Sequence, residues 1–380
     1  MSETVVPHSL SEAAAALAGA AARERPVRIV GGGTKLGWGG ATPPRALRLQ
    51  TTHLSRVLVH DDGVTATLSA GTPMVRAQAL LARSGLMFAA DPQLGLGHHA
   101  GATVGGVVAT ADSGPLSHRY GPVRDQVIGI TAALSDGTVV RSGPHGGQQQ
   151  DGYDPAKLMV GSYGTLGVIL TVDTHVRLLP GKTATALSST GDPTVLRDAA
   201  AAITEGYRDL EAFDLAWRGG RGGLLAQVAG DEAHARATAV AETMHALGLD
   251  GTTVRGDDAG LWARQRAGQR SAERAVLRVH GRRDQLDLLL KLADEVDAIV
   301  VGRATLGVAY LTLDVNRIAA VRAGLPAGTP AVVLDLPGTA RGAVDAWAVP
   351  AGPELELMRA VKRRFDPAGV CNPGIFVGEI

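Results

Sequence analysis

Residues 27–40, VRIVGGGTKLGWGG, constrain the fold of this chain more than any other stretch. A short β-branched run ending at Val30 meets three consecutive glycines, Gly31, Gly32 and Gly33, and then Thr34, Lys35 and Leu36. A strand that ends in glycines can turn with positive φ and lets another group approach its backbone closely. Successive N–H groups in such a turn converge into a concavity suited to phosphate oxygens, and Thr34 adds a hydroxyl donor. The same residues also read as a glycine-rich hairpin. No frame beginning at Gly31, Gly32 or Gly33 gives the dinucleotide fingerprint G-x-G-x-x-G, and Lys35 is not placed as a P-loop lysine. A dinucleotide held here would be held by another architecture.

Two further glycine clusters follow. Residues 91–121, DPQLGLGHHAGATVGGVVATADSGPLSHRYG, are long, glycine-rich and poor in regular periodicity. Loops of that length inside a compact domain tend to be functional, and Val104, Val107 and Val108 argue against disorder. His98, His99 and His118 can stand near a ligand or simply be hydrogen-bonded at the surface. Residues 161–167, GSYGTLG, lead into an apolar strand over 168–172. Three such clusters in the first half point to one extended ligand threading between backbone segments.

The rest of the first half reads as α+β. Ser9 and Glu12 have capping-box spacing and open an alanine-rich helix to about residue 22. Short strands are expected over 46–49, 57–60 and 65–70, a helix over 75–84, and a hairpin of 127–133 with 138–141 around Ser135-Asp-Gly137. A polar loop is expected over 143–152 and a short helix over 155–159. Pro180-Gly-Lys182 marks a boundary. Beyond it, strands at 212–217, 224–229, 276–280 and 309–313 alternate with helices at 231–247, 284–296 and 316–323. That order predicts an antiparallel sheet covered by helices. A last helix is expected over 354–365.

Composition narrows the function classes. A length of 380 residues allows two ordinary domains. Lys+Arg and Asp+Glu both total 37, and no long basic run occurs, which argues against nucleic acid as a partner. Cys371 is the single cysteine, so this sequence can form no intrachain disulfide or cysteine-ligated iron–sulfur cluster. No apolar run approaches the roughly 18 residues of a membrane span. The first residues lack the basic n-region of a signal peptide, and a cytoplasmic protein is expected.

Taken together, certain motifs resemble a known family. They are Ile29-Val-Gly-Gly-Gly-Thr34, Ala102-Thr-Val-Gly-Gly106, Ser113-Gly114 with Arg119-Tyr-Gly121, and Val123-Arg-Asp-Gln-Val-Ile-Gly129. Gly152-Tyr-Asp154, the run LMVGSYGTLGVI over 158–169, Phe365-Asp-Pro and Asn372-Pro-Gly374 complete the set. The pattern resembles FAD-binding oxidoreductases of the vanillyl-alcohol oxidase type, and most of all the smaller FAD-binding subunit of bacterial glycolate oxidase.

The resemblance implies an α+β fold: a two-lobed PCMH-type FAD-binding domain over 1–180, a cap with an antiparallel sheet over 181–345, and a C-terminal segment, 346–380, returning to the FAD domain. It implies FAD, bound non-covalently, since no histidine or cysteine stands where relatives attach the flavin. Val30, Gly31, Gly32, Gly33, Thr34, Lys35 and Leu36 would hold the pyrophosphate. Thr103, Val104, Gly105, Gly106, Ser113, Gly114, Arg119, Tyr120 and Gly121 would line the phosphates and flavin ring. Gly164, Gly167, Val168, Ile169 and Asn372 would lie along the remainder.

The activity so implied is dehydrogenation of a small 2-hydroxy acid. The alternatives are a non-catalytic FAD-carrying subunit of a glycolate-oxidase-like complex and an oxygen-using alcohol oxidase. His98, His99, His118 and Tyr153 are candidate bases, while Arg278 and Arg303 are candidates for a substrate carboxylate. An iron–sulfur partner is implied for electron transfer. Two departures stand out: Gln148 to Asp151 occupy the place of the family's lysine and asparagine, and no histidine-rich metal motif is found, so no metal site is expected.

Overall fold

The computed structural model describes residues 3–96, 101–144 and 154–380. The chain divides into two compact units. One comprises Met1–Ser113, Gly121–Leu179 and Val349–Ile380; the other comprises Gly114–Tyr120 and Pro180–Ala348.

The first unit contains two main sheets. The smaller is parallel, in the order Thr4–Val5, Leu47–Gln50, Val27–Val30. Its apolar residues alternate: Val27, Leu47 and Leu49 pack against Ala13, Ala14, Leu17 and Ala20 of the helix Leu10–Ala21. That helix starts where the sequence places it, because Ser9 Oγ accepts the Glu12 N–H (3.1 Å) and Glu12 accepts the His8 N–H (2.8 Å). The C-terminal segment lies beside this sheet. Val27 N–H donates to Val370 O (2.7 Å), and Asn372 N–H donates to Val27 O (2.9 Å). Lys362 at the end of the helix Pro353–Phe365 fixes the segment, its ammonium reaching Asp366, Thr165 O and Cys371 O.

The larger sheet is antiparallel, in the order Val57–Val59, Thr65–Ser69, Val168–His175, Val127–Ala133, Val139–Ser142. The expected hairpin is its outer pair, turning through Gly137 at φ +85. The stretch over 91–121 is more regular than its glycines imply. It contains the helix Val104–Thr110, with Thr103 Oγ1 accepting the Gly106 N–H as N-cap. Two glycines and three valines disfavour a helix by propensity, but Val104, Val107 and Val108 are fully buried in the core, and packing overrides propensity.

The second unit is built on one eight-stranded antiparallel sheet. Its order is Asp250–Arg255, Thr183–Ser189, Arg221–Ala229, Ala212–Arg218, Ile299–Arg303, Val308–Leu313, Ala275–His280, Ala331–Asp335. One face packs on the helices Pro193–Gly206, Ala233–Ala246, Leu286–Glu295 and Ile318–Gly324 through Phe213, Leu215, Trp217, Leu277 and Leu311. The helix Ala259–Ala267 covers part of the other face, where Trp262 packs on Ala212 and Leu225. No helix among the described residues is long and apolar enough to cross a membrane.

Candidate functional site

In the first unit, the glycine loop after Val27–Val30 opens onto a cavity. Its lining takes in Val30, Gly31, Gly32, Gly33, Thr34, Lys35, Leu36, Thr103, Gly105, Gly106, Gly164, Gly167, Ile169 and Asn372. Four segments far apart in sequence therefore converge. Among the described residues, no protein acceptor takes the N–H groups of Gly31, Gly32 and Gly33. Three successive unpaired backbone donors beside a cavity are a ready seat for an anionic group.

The approach of the segments explains the glycines. A Cβ on Gly31 would lie 2.1 Å from Thr103 Oγ1, and one on Gly32 would lie 1.5 Å from Gly101 O. A Cβ on Gly105 would lie 2.6 Å from that of Ala70. Part of the demand for glycine thus comes from the protein packing on itself.

The lysine of the glycine loop carries its own counter-charge. Lys35 lines the cavity and pairs with Asp112 (3.1 Å), both side chains being buried. Asn372 is a stitch as well as a wall. Its Oδ1 accepts the Ile29 N–H (2.8 Å), and its Nδ2 donates to Tyr163 O (2.6 Å).

Seven residues assigned to the cofactor by resemblance do not line this cavity. Val104 and Val168 are core residues with no exposed surface; in the strand Val168–His175, Val168 alternates with the cavity-lining Ile169. Ser113 Oγ accepts the Val123 N–H (3.0 Å), and Gly121 O accepts from Gln126 (3.0 Å). Gly114, Arg119 and Tyr120 belong to the second unit. There Arg119 Nη1 and Tyr120 OH both donate to the Glu211 carboxylate, at 2.6 and 2.7 Å. Sequence reasoning missed Arg28, Thr51, Ala70, Thr110, Tyr163 and Ile375, which also line the cavity. Of these, Arg28 carried a visible signal, a charge inside an otherwise apolar strand.

The second unit holds a buried polar cluster. Arg303 donates from Nη1 to Asp214 Oδ2 (2.7 Å) and from Nε to Gly114 O (3.0 Å). Gln265 adds a 3.0 Å bond to the same carboxylate oxygen. Asp214 is fully buried, and burial pushes its carboxyl up to about 6 against the pull of Arg303. As an exposed fork for a substrate, Arg303 is therefore ruled out: its guanidinium is spent inside the protein. His118 Nδ1 lies 3.0 Å from Thr305 Oγ1, with the ring edge-on to Phe213. Burial, reinforced by Arg119, holds its pKa down to about 4. Arg278 is half-buried opposite Tyr310, on the strand face away from Leu277 and Val279. His98, His99, Tyr153 and the stretch from Gln148 to Asp151 lie outside the described residues.

Residues 2–143 match the FAD binding domain family, and residues 351–375 match the C-terminal domain of FAD linked oxidases. The two matched stretches mark an FAD-binding domain and a C-terminal piece of the FAD-linked-oxidase type in this chain. FAD is its cofactor, and the unpaired donors of the glycine loop fit its diphosphate. A D-lactate dehydrogenase of Archaeoglobus fulgidus is 32% identical over 176 residues, 46% of this chain and 38% of that protein. The glycolate oxidase subunit GlcE of Escherichia coli is 38% identical over 112 residues, 29% of this chain and 31% of that protein. The solved structure of alkyldihydroxyacetonephosphate synthase matches with a TM-score of 0.72 at 15% identity, over 97% of this chain and 75% of that one. This last likeness shows the PCMH-type fold alone. The chain spans about a third of the length of the curated relatives it matches.

Proposed function

We propose that this chain is an FAD-dependent dehydrogenase of a small 2-hydroxy acid, with residues 1–180 and the returning segment 346–380 holding FAD and 181–345 forming the substrate cap. The observation that carries the cofactor half is the run of unpaired N–H groups at Gly31, Gly32 and Gly33. The substrate half is supported by relatives named as D-lactate dehydrogenases and glycolate oxidase subunits. FAD, when bound, supplies the hydride acceptor. The protein's own part is to hold a carboxylate and take a hydroxyl proton. Arg278 is the arginine for the carboxylate, because Arg303 is committed to Asp214. His118 is the base: a neutral imidazole near pH 7 keeps Nε2 for the proton while Nδ1 is oriented by Thr305.

A second reading, an FAD-carrying subunit that acts only within a larger assembly, is favoured by the likeness to a subunit of glycolate oxidase. In either case a cluster-bearing partner or a soluble acceptor would take the electrons, since this chain's one cysteine builds no iron–sulfur cluster. Anaerobic titration of the FAD-loaded protein with glycolate, D-lactate and L-lactate tests the choice. Bleaching of the oxidised flavin by one of them is expected. Bleaching by dithionite but by none of the three acids would refute the dehydrogenase and leave the subunit reading.

A further inference from the structure

The polar face of the small parallel sheet carries an unusual charge arrangement. Arg28 and Arg48 are direct partners across the strands Val27–Val30 and Leu47–Gln50. Their neighbours Val27, Leu47 and Leu49 point to the opposite face, into the core beneath the helix Leu10–Ala21. Cross-strand partners stand about 5 Å apart, and like charges placed so are destabilising. Among the described residues, no carboxylate pairs with either guanidinium. Arg48 Nε is buried without a hydrogen-bond partner.

Arg28 is the member that reaches the cavity. It donates to the Thr42 hydroxyl and to Leu36 O (2.9 Å), so it clasps the far half of the glycine loop. Those two bonds leave three of its five N–H donors. Its pKa is lowered by burial and by the charge of Arg48. Two adjacent arginines without a counter-charge are an electrostatic liability unless a ligand brings negative charge.

We propose that Arg28 and Arg48 form a cationic seat for the diphosphate of FAD, and that this diphosphate is the counter-charge the sheet lacks. The inference rests on the FAD reading of the cavity and adds side-chain recognition to the backbone donors of the loop. Arg28 acts at the cavity wall; Arg48 acts through it as a positioning residue, holding the guanidinium outward by repulsion. Guanidinium suits this task because its charge persists even when its pKa is depressed, and its fork matches phosphate oxygens.

The test uses flavin-free protein, with Arg28→Gln, Arg48→Gln and Arg48→Lys, titrated with FAD and with riboflavin at roughly 20 mM and about 200 mM salt. Each Gln variant should weaken FAD about five- to tenfold at low salt and less at high salt. Riboflavin, which has no phosphate, should bind all forms equally, and Arg48→Lys should keep FAD affinity. Flavin-free Arg48→Gln should melt at or above the wild-type temperature, while its gain on adding FAD shrinks. Unchanged FAD affinity in both Gln variants would overturn the inference and leave the cofactor reading intact. Equal weakening of riboflavin would also overturn it, as a loss of shape rather than charge. Failure of the wild-type protein to bind FAD would remove both.

Discussion

Replacing Gly32 with alanine tests the cavity wall directly. Gly32 is not among the positive-φ residues, so alanine meets no backbone strain there. The obstacle is contact: the new Cβ would lie 1.5 Å from Gly101 O and 2.6 Å from Gly101 C. Non-bonded carbon and oxygen need a little over 3 Å, so the two loops must part by roughly 1.5–2 Å. A backbone carbonyl cannot rotate away as a side chain does. Overpacking of this kind costs about 1–3 kcal/mol, and the upper end applies. If about 2–3 kcal/mol appears in binding, FAD affinity falls roughly 30- to 150-fold. The flavin-free protein should also melt several degrees lower, since the clash is with the protein itself. From the sequence alone the same glycine reads as room for the cofactor, which would leave the flavin-free protein untouched. Thermal melts without FAD and FAD titration by flavin fluorescence, with Gly181→Ala as control where nothing lies within 4 Å, separate the two. A Gly32→Ala protein with wild-type melting temperature and FAD affinity would refute the packing argument.

Two further outcomes are expected. His118 titrates near 4 in the folded protein and near 6.5 when unfolded, so the fold binds fewer protons between these values. Its contribution is full above pH 6.5 and declines as pH falls toward 4, by about 2 kcal/mol at pH 5. Asp214, raised by burial, works in the opposite direction over part of that window, so the comparison is wild type against His118→Gln in urea unfolding at pH 7 and pH 5. An equal gap between the two proteins at both pH values would rule the effect out. Separately, acid precipitation should release all the flavin, because Thr34, Lys35 and Leu36 and the Ala102 neighbourhood offer no attachment residue, and Cys371 is buried with its thiol pKa pushed up by burial and Asp366. Yellow colour retained in the pellet would contradict non-covalent binding.

The strands and glycine clusters were legible because they are local. Alternation and β-branching define Thr65–Ser69 and Val127–Ala133, and a glycine run announces a backbone demand wherever it occurs. What the demand is for was not legible. Gly31 and Gly32 answer to Thr103 and Gly101, some seventy positions on, and only the folded chain shows it. The helix Val104–Thr110 was hidden for the same reason: its propensity is poor, and its stability comes from burying three valines. Asn372 stitches to Ile29 and Tyr163, 343 and 209 positions away in sequence, a role no local pattern encodes. Arg28 lies in plain view in the sequence, yet its meaning depends on Arg48 standing opposite in register.

The arginines of the second unit show what governs availability for chemistry. Arg278 and Arg303 look alike in sequence, each an arginine within an apolar strand. Strand register separates them. Arg303 is partnered with Asp214 across the sheet, and both are buried. A pair so enclosed has already exchanged its hydration for one another, and a substrate carboxylate would have to displace Asp214 and leave it charged in a dry site. Arg278 stands opposite Tyr310 instead, in the pairing of Ala275–His280 with Val308–Leu313. His118 belongs to the same logic: it is oriented by a hydroxyl rather than a carboxylate, so nothing holds a proton on it near pH 7. The substrate-side assignment proposed for the cap therefore turns on strand register, which sets Arg303 against the buried Asp214 and Arg278 against Tyr310.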